Sequence, residues 1–254
     1  MGRVIAIVNQ KGGVGKSTTA INLGAYLASF NKRVLVVDLD PQSNATSGAG
    51  VEKGAISESM YEVLIQQAQI DDVIKPSAMP GMDVAPATIG LAGAEIELVT
   101  EMSREFRLKN ALESVVDEYD YVLIDSPPSL GLLTLNGLAA AHGVIIPIQC
   151  EYYALEGLGQ LIQTVEMIRR HVNPTLAIDG VVMTMYDGRT NLSAQVTEDV
   201  RNFLADKVHV FEAVIPRNVR LSEAPSFGLP INLYDDKCRG AEAYRQLAEE
   251  VLGT

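Results

Sequence analysis

The sequence predicts an α/β fold, a doubly wound and mostly parallel sheet with helices on both faces. Three observations carry this. Short β-branched apolar runs alternate with longer stretches of helical period from end to end. The first run leads straight into a glycine-rich turn that closes on Lys-Ser, and two later runs end in aspartate, at the edge where open α/β sheets bind ligands. With 254 residues, 47% of them hydrophobic, the chain can bury a sizeable core, and a single domain over 1–254 is expected.

The expected strands, in order, are 4–8, 34–38, 82–85, 121–125, 143–148, 178–185 and 208–215, each an apolar run of strand length. Helical periodicity places helices at 16–30, 104–118, 130–141, 155–171, 192–205 and 240–252. Residues 41–53, polar and glycine-rich, follow a strand end directly and read as a loop at the ligand edge of the sheet; position alone leaves an ordinary surface loop equally open.

Composition narrows the class. The apolar run at 4–8 is too short for a signal peptide, and no stretch approaches the roughly 18 apolar residues of a membrane span, so a cytoplasmic protein is expected. Cys150 and Cys238 match no metal-ligand spacing and read as inert thiols. His142, His171 and His209 are scattered, as surface or packed histidines are. The formal charge of −12 opposes nucleic-acid binding, yet it is uneven: residues 1–188 hold 12 Lys+Arg against 22 Asp+Glu, whereas 189–245 hold 8 against 8. Only that last segment leaves room for a local basic face.

The strongest motif is Lys11-Gly12-Gly13-Val14-Gly15-Lys16-Ser17-Thr18, between the first strand and the first helix. Glycines let successive N–H groups point at one anion, the helix N-terminus adds its dipole, Lys16 supplies a mobile charge and Ser17 a hydroxyl for Mg²⁺. Each part suits a nucleotide phosphate. The second strand ends Asp38-Leu39-Asp40, two carboxylates at the ligand edge, where a lone strand-end Asp is as often a cap or turn former. The strand closing at Asp125 has the form of a Walker B segment, which delivers one Asp to the Mg²⁺ shell. After the last strand, Pro216-Arg217-Asn218 forms a turn in which Asn could read a purine edge or simply connect strand to helix.

An ordinary Walker A pattern would have its first glycine at position 10, where this chain has Gln10. With Lys11 added, the loop resembles the deviant Walker A motif shared by ParA and Soj, MinD and the nitrogenase iron protein. The segments 151–157 and 185–190, and the stretch 214–225, are similar to those of ParA and Soj in particular. This resemblance implies an ATPase that binds ATP and Mg²⁺ and forms a nucleotide-sandwich homodimer. In it Lys11 reaches the partner's phosphates, Asp40 positions the hydrolytic water, Asp38 holds water around Mg²⁺, and Pro216 and Asn218 line the adenine. It further implies nonspecific DNA binding by the ATP-bound dimer through Arg189 and Arg220, a ParB-type partner that stimulates hydrolysis, and a nucleoid-associated place in the cytoplasm.

Other jobs on the same scaffold leave different marks. A MinD-like positioning ATPase would carry a basic amphipathic C-terminal helix, whereas residues 246–254 are acidic, and membrane binding is not expected. An iron–sulfur reductase needs cluster cysteines that Cys150 and Cys238 do not supply. A small-molecule ligase or kinase needs a second substrate pocket, for which no His or Cys cluster speaks. Operator-specific repression is not expected, since no helix-turn-helix segment precedes the P-loop.

Overall fold

β-Branched and aliphatic runs pair into one sheet of eight strands in the order β3-β4-β2-β5-β1-β6-β7-β8. The computed structural model describes residues 2–151, 154–205 and 207–253; Tyr152 and Tyr153 of the 151–157 segment, and Thr254, lie outside them. The strands are β1 (Arg3–Ile7), β2 (Val34–Asp38), β3 (Lys75–Pro76), β4 (Met82–Ala85), β5 (Tyr121–Asp125), β6 (Gly143–Gln149), β7 (Ala177–Tyr186) and β8 (Val210–Pro216). All neighbours run parallel except β3, which pairs antiparallel with β4. The expected seven strands are therefore present. The eighth, β3, is a two-residue edge strand containing Pro76, too short to show a period and placed where proline is tolerated.

Alternate strand residues feed two cores. Val4, Ala6, Leu35, Val37, Val122 and Ile124 face the helices Leu132–Ala140, Ala154–His171 and Asn191–Leu204. Ile5, Ile7, Val34, Val36 and Leu123 face Lys16–Ser29 and Arg239–Leu252. Burial on both faces explains why the strands read as continuous apolar runs. β1 lies between β5 and β6, and the chain moves from it to β2 on one side and later to β6 on the other, so the carboxyl end of β1 is a topological switch point.

Two expectations need correction. The helix expected at 104–118 is broken into Arg104–Phe106, Arg107–Leu112 and Val116–Glu118. Asn136 causes the first break: its carbonyl accepts the Leu108 N–H (3.1 Å) while its amide donates to Arg104 O (2.9 Å), inserting a side chain where an i→i+4 bond would close. The segment 41–53 is not simply a loop, because it contains the helix Asn44–Gly48. Asp38 organises it, accepting from Thr46 N (2.8 Å) and Thr46 Oγ (2.7 Å).

Candidate active site

Residues 9–15 leave the end of β1 without regular structure and turn into the helix Lys16–Ser29. Asn9 sets the exit, its carbonyl accepting from Lys11 N (3.0 Å) and its amide donating to Pro147 O (2.7 Å). Gly13 (φ 76°) and Gly15 (φ 89°) adopt left-handed backbone that other residues reach only with strain. Gly15 stands at the N-cap and offers no side-chain cap, so the first-turn N–H groups remain directed outward with the positive end of the helix dipole. Lys16 curls back over the loop to donate to Lys11 O (3.1 Å). Burial lowers its pKa, while the charges of Asp125 and Asp40 act the other way.

This loop forms one end of a cavity of about 480 Å³. Gly12, Gly13, Gly15, Lys16, Ser17 and Thr18 line that end, and Asp40 stands beside it. Pro216, Asn218, Leu221 and Ser222, from the end of β8 and the residues after it, also line the cavity, as does Tyr244, whose hydroxyl meets Thr19 Oγ1 (3.1 Å). A polar glycine-rich cradle beside walls that mix Pro216 and Leu221 with Asn218 and Ser222 suits a ligand with a phosphate chain and a flat base. Of the predicted loop residues, Val14 differs: its side chain is buried in the core, so only its backbone faces the turn.

Sheet register brings two carboxylates together beneath the cradle, since Asp38 and Asp125 are direct partners on β2 and β5 and Ile7 pairs with Asp125 on the other side. Asp38 is fully buried and satisfied by Thr46 and by Asp40 N (3.0 Å). Asp125 is equally buried, yet neither of its oxygens has a hydrogen-bond partner of good geometry; the Ser17 hydroxyl lies close enough only to favour its charged form. Burial first, and then the neighbouring Asp38, push the Asp125 pKa well up. Burial likewise raises that of Asp38, against its hydrogen bonds. The Ser126 hydroxyl is also buried without a partner.

Two adjacent buried carboxylates, one of them orphaned, fit a divalent cation. Among the described residues no three His, Cys, Asp or Glu side chains converge as a metal cage. That donor set suits Mg²⁺, which keeps waters and takes substrate phosphates, and does not suit a zinc or iron site. Asp40 borders the cavity with Oδ1 accepting from Gln42 N (2.9 Å); among the described residues no hydrogen bond holds its other oxygen.

Lys11 stands apart from this machinery. It does not line the cavity; its half-exposed side chain forms an ion pair with Glu151, just after β6. Arg189 and Arg220 also lie outside. Arg189 is 86% exposed and bidentate to Asp187, Nε to Oδ1 at 2.8 Å and Nη2 to Oδ2 at 2.6 Å. Arg220, on the helix Val219–Glu223, pairs with Glu223 (3.0 Å) and Asp235 (3.4 Å). The register of Tyr186 with Pro216 puts the two loops side by side at the carboxyl edge. Sequence reasoning missed Glu151 as the neighbour of Lys11, Thr46 as the donor to Asp38, and Leu221, Ser222 and Tyr244 as cavity walls. Of these, Glu151 lies in the 151–157 segment, Leu221 and Ser222 in the 214–225 stretch and Thr46 in the 41–53 loop, each singled out in the sequence, whereas Tyr244 had no signal.

Comparison with known proteins agrees with this geometry. A family model described as an AAA domain matches residues 2–178. The chain is 60% identical over 251 residues to the sporulation initiation inhibitor protein Soj of Bacillus subtilis, covering 99% of this chain and 98% of Soj. It is 54% identical to the chromosome partitioning protein ParA of Myxococcus xanthus, covering 99% and 88%. Among solved structures, a cobyrinic acid a,c-diamide synthase from Mycobacterium smegmatis, crystallised with an ATP analogue and magnesium, superposes with a TM-score of 0.87 at 40% identity over 99% of this chain and 95% of that one. A glycine-rich cradle at the carboxyl end of β1, with a buried carboxylate pair at the ends of β2 and β5, carried on a chain this close to Soj and ParA along its whole length, assigns it: the chain belongs to the Soj and ParA family of P-loop ATPases.

Proposed function

We propose that residues 1–254 act as one ATPase domain that binds MgATP in the cavity, pairs face to face with a second copy, and in that state holds nonspecific DNA for partitioning. The observation that carries this reading is the division of labour between the two lysines. Lys16 is buried and bent over the cradle, whereas Lys11 is exposed beside it with no contact to the cavity. Within one protomer Lys16 and the N–H groups of Gly13 to Thr18 bind the phosphates, and Ser17 with Asp125 holds the cation, with Asp38 supporting it through charge. Mg²⁺ held there would supply charge neutralisation to the phosphates. Asp40 orients the attacking water with its uncommitted oxygen, and Pro216 and Asn218 hold the adenine. Lys11 reaches the γ-phosphate of the partner subunit, as an arginine finger does. Hydrolysis removes the group that joins the two copies, and the dimer and its DNA contacts come apart. A ParB-type partner bound at centromere-like sites accelerates that step, in the cytoplasm and on the nucleoid. No described helix is long and apolar enough to cross a membrane.

Size-exclusion chromatography with light scattering, with and without MgATP, tests this directly. The parent should shift toward dimer with MgATP, and Asp40→Ala should accumulate as a stable dimer. Lys16→Ala should lose calorimetric ATP binding. A parent that stays monomeric at saturating MgATP removes the sandwich, and unchanged ATP affinity in Lys16→Ala removes the phosphate assignment. A second reading rests on the synthase name of the Mycobacterium smegmatis structure: ATP-dependent amidation of a small carboxylic acid on the same scaffold. Turnover raised by DNA and a ParB-type protein, and unaffected by candidate small acids, decides against it.

A further inference from the structure

Two residues at the end of β7, Thr184 and Tyr186, tie together three separate loops. The Thr184 hydroxyl donates to Val14 O in the P-loop (2.9 Å). The Thr184 carbonyl accepts from Cys150 N (3.1 Å), one residue before the Glu151 that pairs with Lys11. The Tyr186 carbonyl accepts from Arg217 N (2.8 Å), one residue before Asn218. Between them Met185 adopts φ 54°, left-handed backbone that a residue with a long side chain takes up only when its surroundings impose it. Thr184 is 2% exposed, borders the nucleotide cavity, and a Cβ built on Gly15 would sit 4.0 Å from its methyl group.

We propose that Thr184 is a positioning residue for nucleotide binding, whose hydroxyl fixes the P-loop at Val14 and so holds the phosphate cradle in register with the base end of the cavity. The P-loop needs such a tether. Its Gly13 and Gly15 give it backbone freedom, and freedom lost on binding weakens affinity. The Val14 side chain anchors one side in the core, and the Thr184 hydroxyl holds the carbonyl of the same residue, so Val14 is fixed at two points. Because Tyr186 holds the loop of Asn218 only two residues later, across the left-handed Met185, the span between cradle and base end is set by this short, doubly tethered segment.

This inference rests on nucleotide binding in the cavity, and the experiment separates the two. Two pairs of full-length variants differ only in the hydroxyl: the parent against Thr184→Val, and Thr184→Ser against Thr184→Ala. MgADP affinity is measured by calorimetry and the nucleotide-free melting temperature by calorimetric scan. Affinity should follow the hydroxyl, falling about three- to tenfold in Val and Ala while Ser stays near the parent, as for loss of one buried hydrogen bond. Melting temperature should instead follow the methyl group, so that Ser is lowered and Val is the better preserved. Affinity that tracks the methyl group, or is equal in both members of each pair, overturns the proposal. The Ser and Ala pair carries the test alone if Thr184→Val does not fold, and a parent that fails to bind MgADP overturns nucleotide binding itself.

Discussion

Asp125 is a carboxylate that a chain under selection for stability alone would not keep, fully buried, without good hydrogen bonds, and beside a second buried carboxylate. Its folded pKa is raised, so above the ordinary aspartate range the folded chain holds a proton that the unfolded chain has released. Stability therefore falls as pH rises through that window and stays reduced above it. Asp125→Asn should raise the melting temperature of the nucleotide-free chain at neutral pH, with the gain shrinking toward pH 4 and below, while Mg²⁺-dependent hydrolysis is lost. Equal melting temperatures at neutral pH would mean that Lys16 already balances the charge. For Lys11, exposure and the ion pair with Glu151 predict a different split. Lys11→Ala should bind MgATP with parental affinity by calorimetry yet fail to dimerise in light scattering, since an exposed pair of this kind contributes little to the fold. The lysines and aspartates stood out in the sequence because a glycine-rich turn surrounds the first and apolar strands lead into the second, although Asp38 also caps Thr46, the bland use of a strand-end Asp. Thr184 and Tyr244 were not, because a buried threonine or tyrosine in an apolar run reads as core wherever it points.

At the scale of elements, the sequence was clear where period and burial agree and misleading where a distant side chain intervenes. The seven expected strands formed, most of them buried on both faces, while the edge strand β8 alternates buried Phe211, Ala213 and Ile215 with exposed Glu212, a period of two that also reads as strand. The helix at 104–118 failed because Asn136, 28 residues beyond Leu108, takes over a backbone bond, and nothing local announces that. The helix Asn44–Gly48 was hidden for the same reason, its cap coming from Asp38. The start of β1 offers a test of another such contact. Val4 N donates to the Nδ1 of His142 (2.9 Å), which requires an unprotonated acceptor, and burial together with Arg3 and Lys109 lowers the His142 pKa. A depressed histidine contributes stability above its unfolded value of about 6.5, and that contribution is lost as pH falls toward the folded value. Denaturant melts between pH 8 and 5 should therefore show the parent losing stability relative to His142→Asn as pH falls, against the opposite response of Asp125 that both chains share. Parallel profiles would remove His142 from the acid response.

For the whole molecule, the net charge of −12 is what the proposed DNA binding has to overcome. The segment 189–245 is balanced, 8 basic against 8 acidic residues, and the structure adds that its two candidate arginines are each engaged by carboxylates of their own chain. Phosphate contact must exchange those partners. Exposed ion pairs yield readily, so the exchange is feasible, but it leaves one protomer with few net contacts. Face-to-face pairing would bring two sets of these adjacent loops to one surface, which makes DNA affinity depend on ATP through dimerisation. With about four phosphates neutralised per dimer, log affinity should fall with log salt at a slope of about −4, on any duplex sequence. The ion pairs give the prediction a second direction. Arg220→Ala should weaken binding and flatten the salt slope, whereas Glu223→Gln should tighten it by freeing Arg220, and neither should alter the MgATP-dependent dimer. Fluorescence anisotropy on two unrelated duplexes at several salt concentrations, with light scattering alongside, reads both effects. Equal affinity in Arg220→Ala and parent would dismiss that arginine as a phosphate contact. Tighter binding in Arg220→Ala would place the contact elsewhere in the segment. A parent that binds no DNA at low salt with MgATP present would leave the cavity an ATPase site without this output.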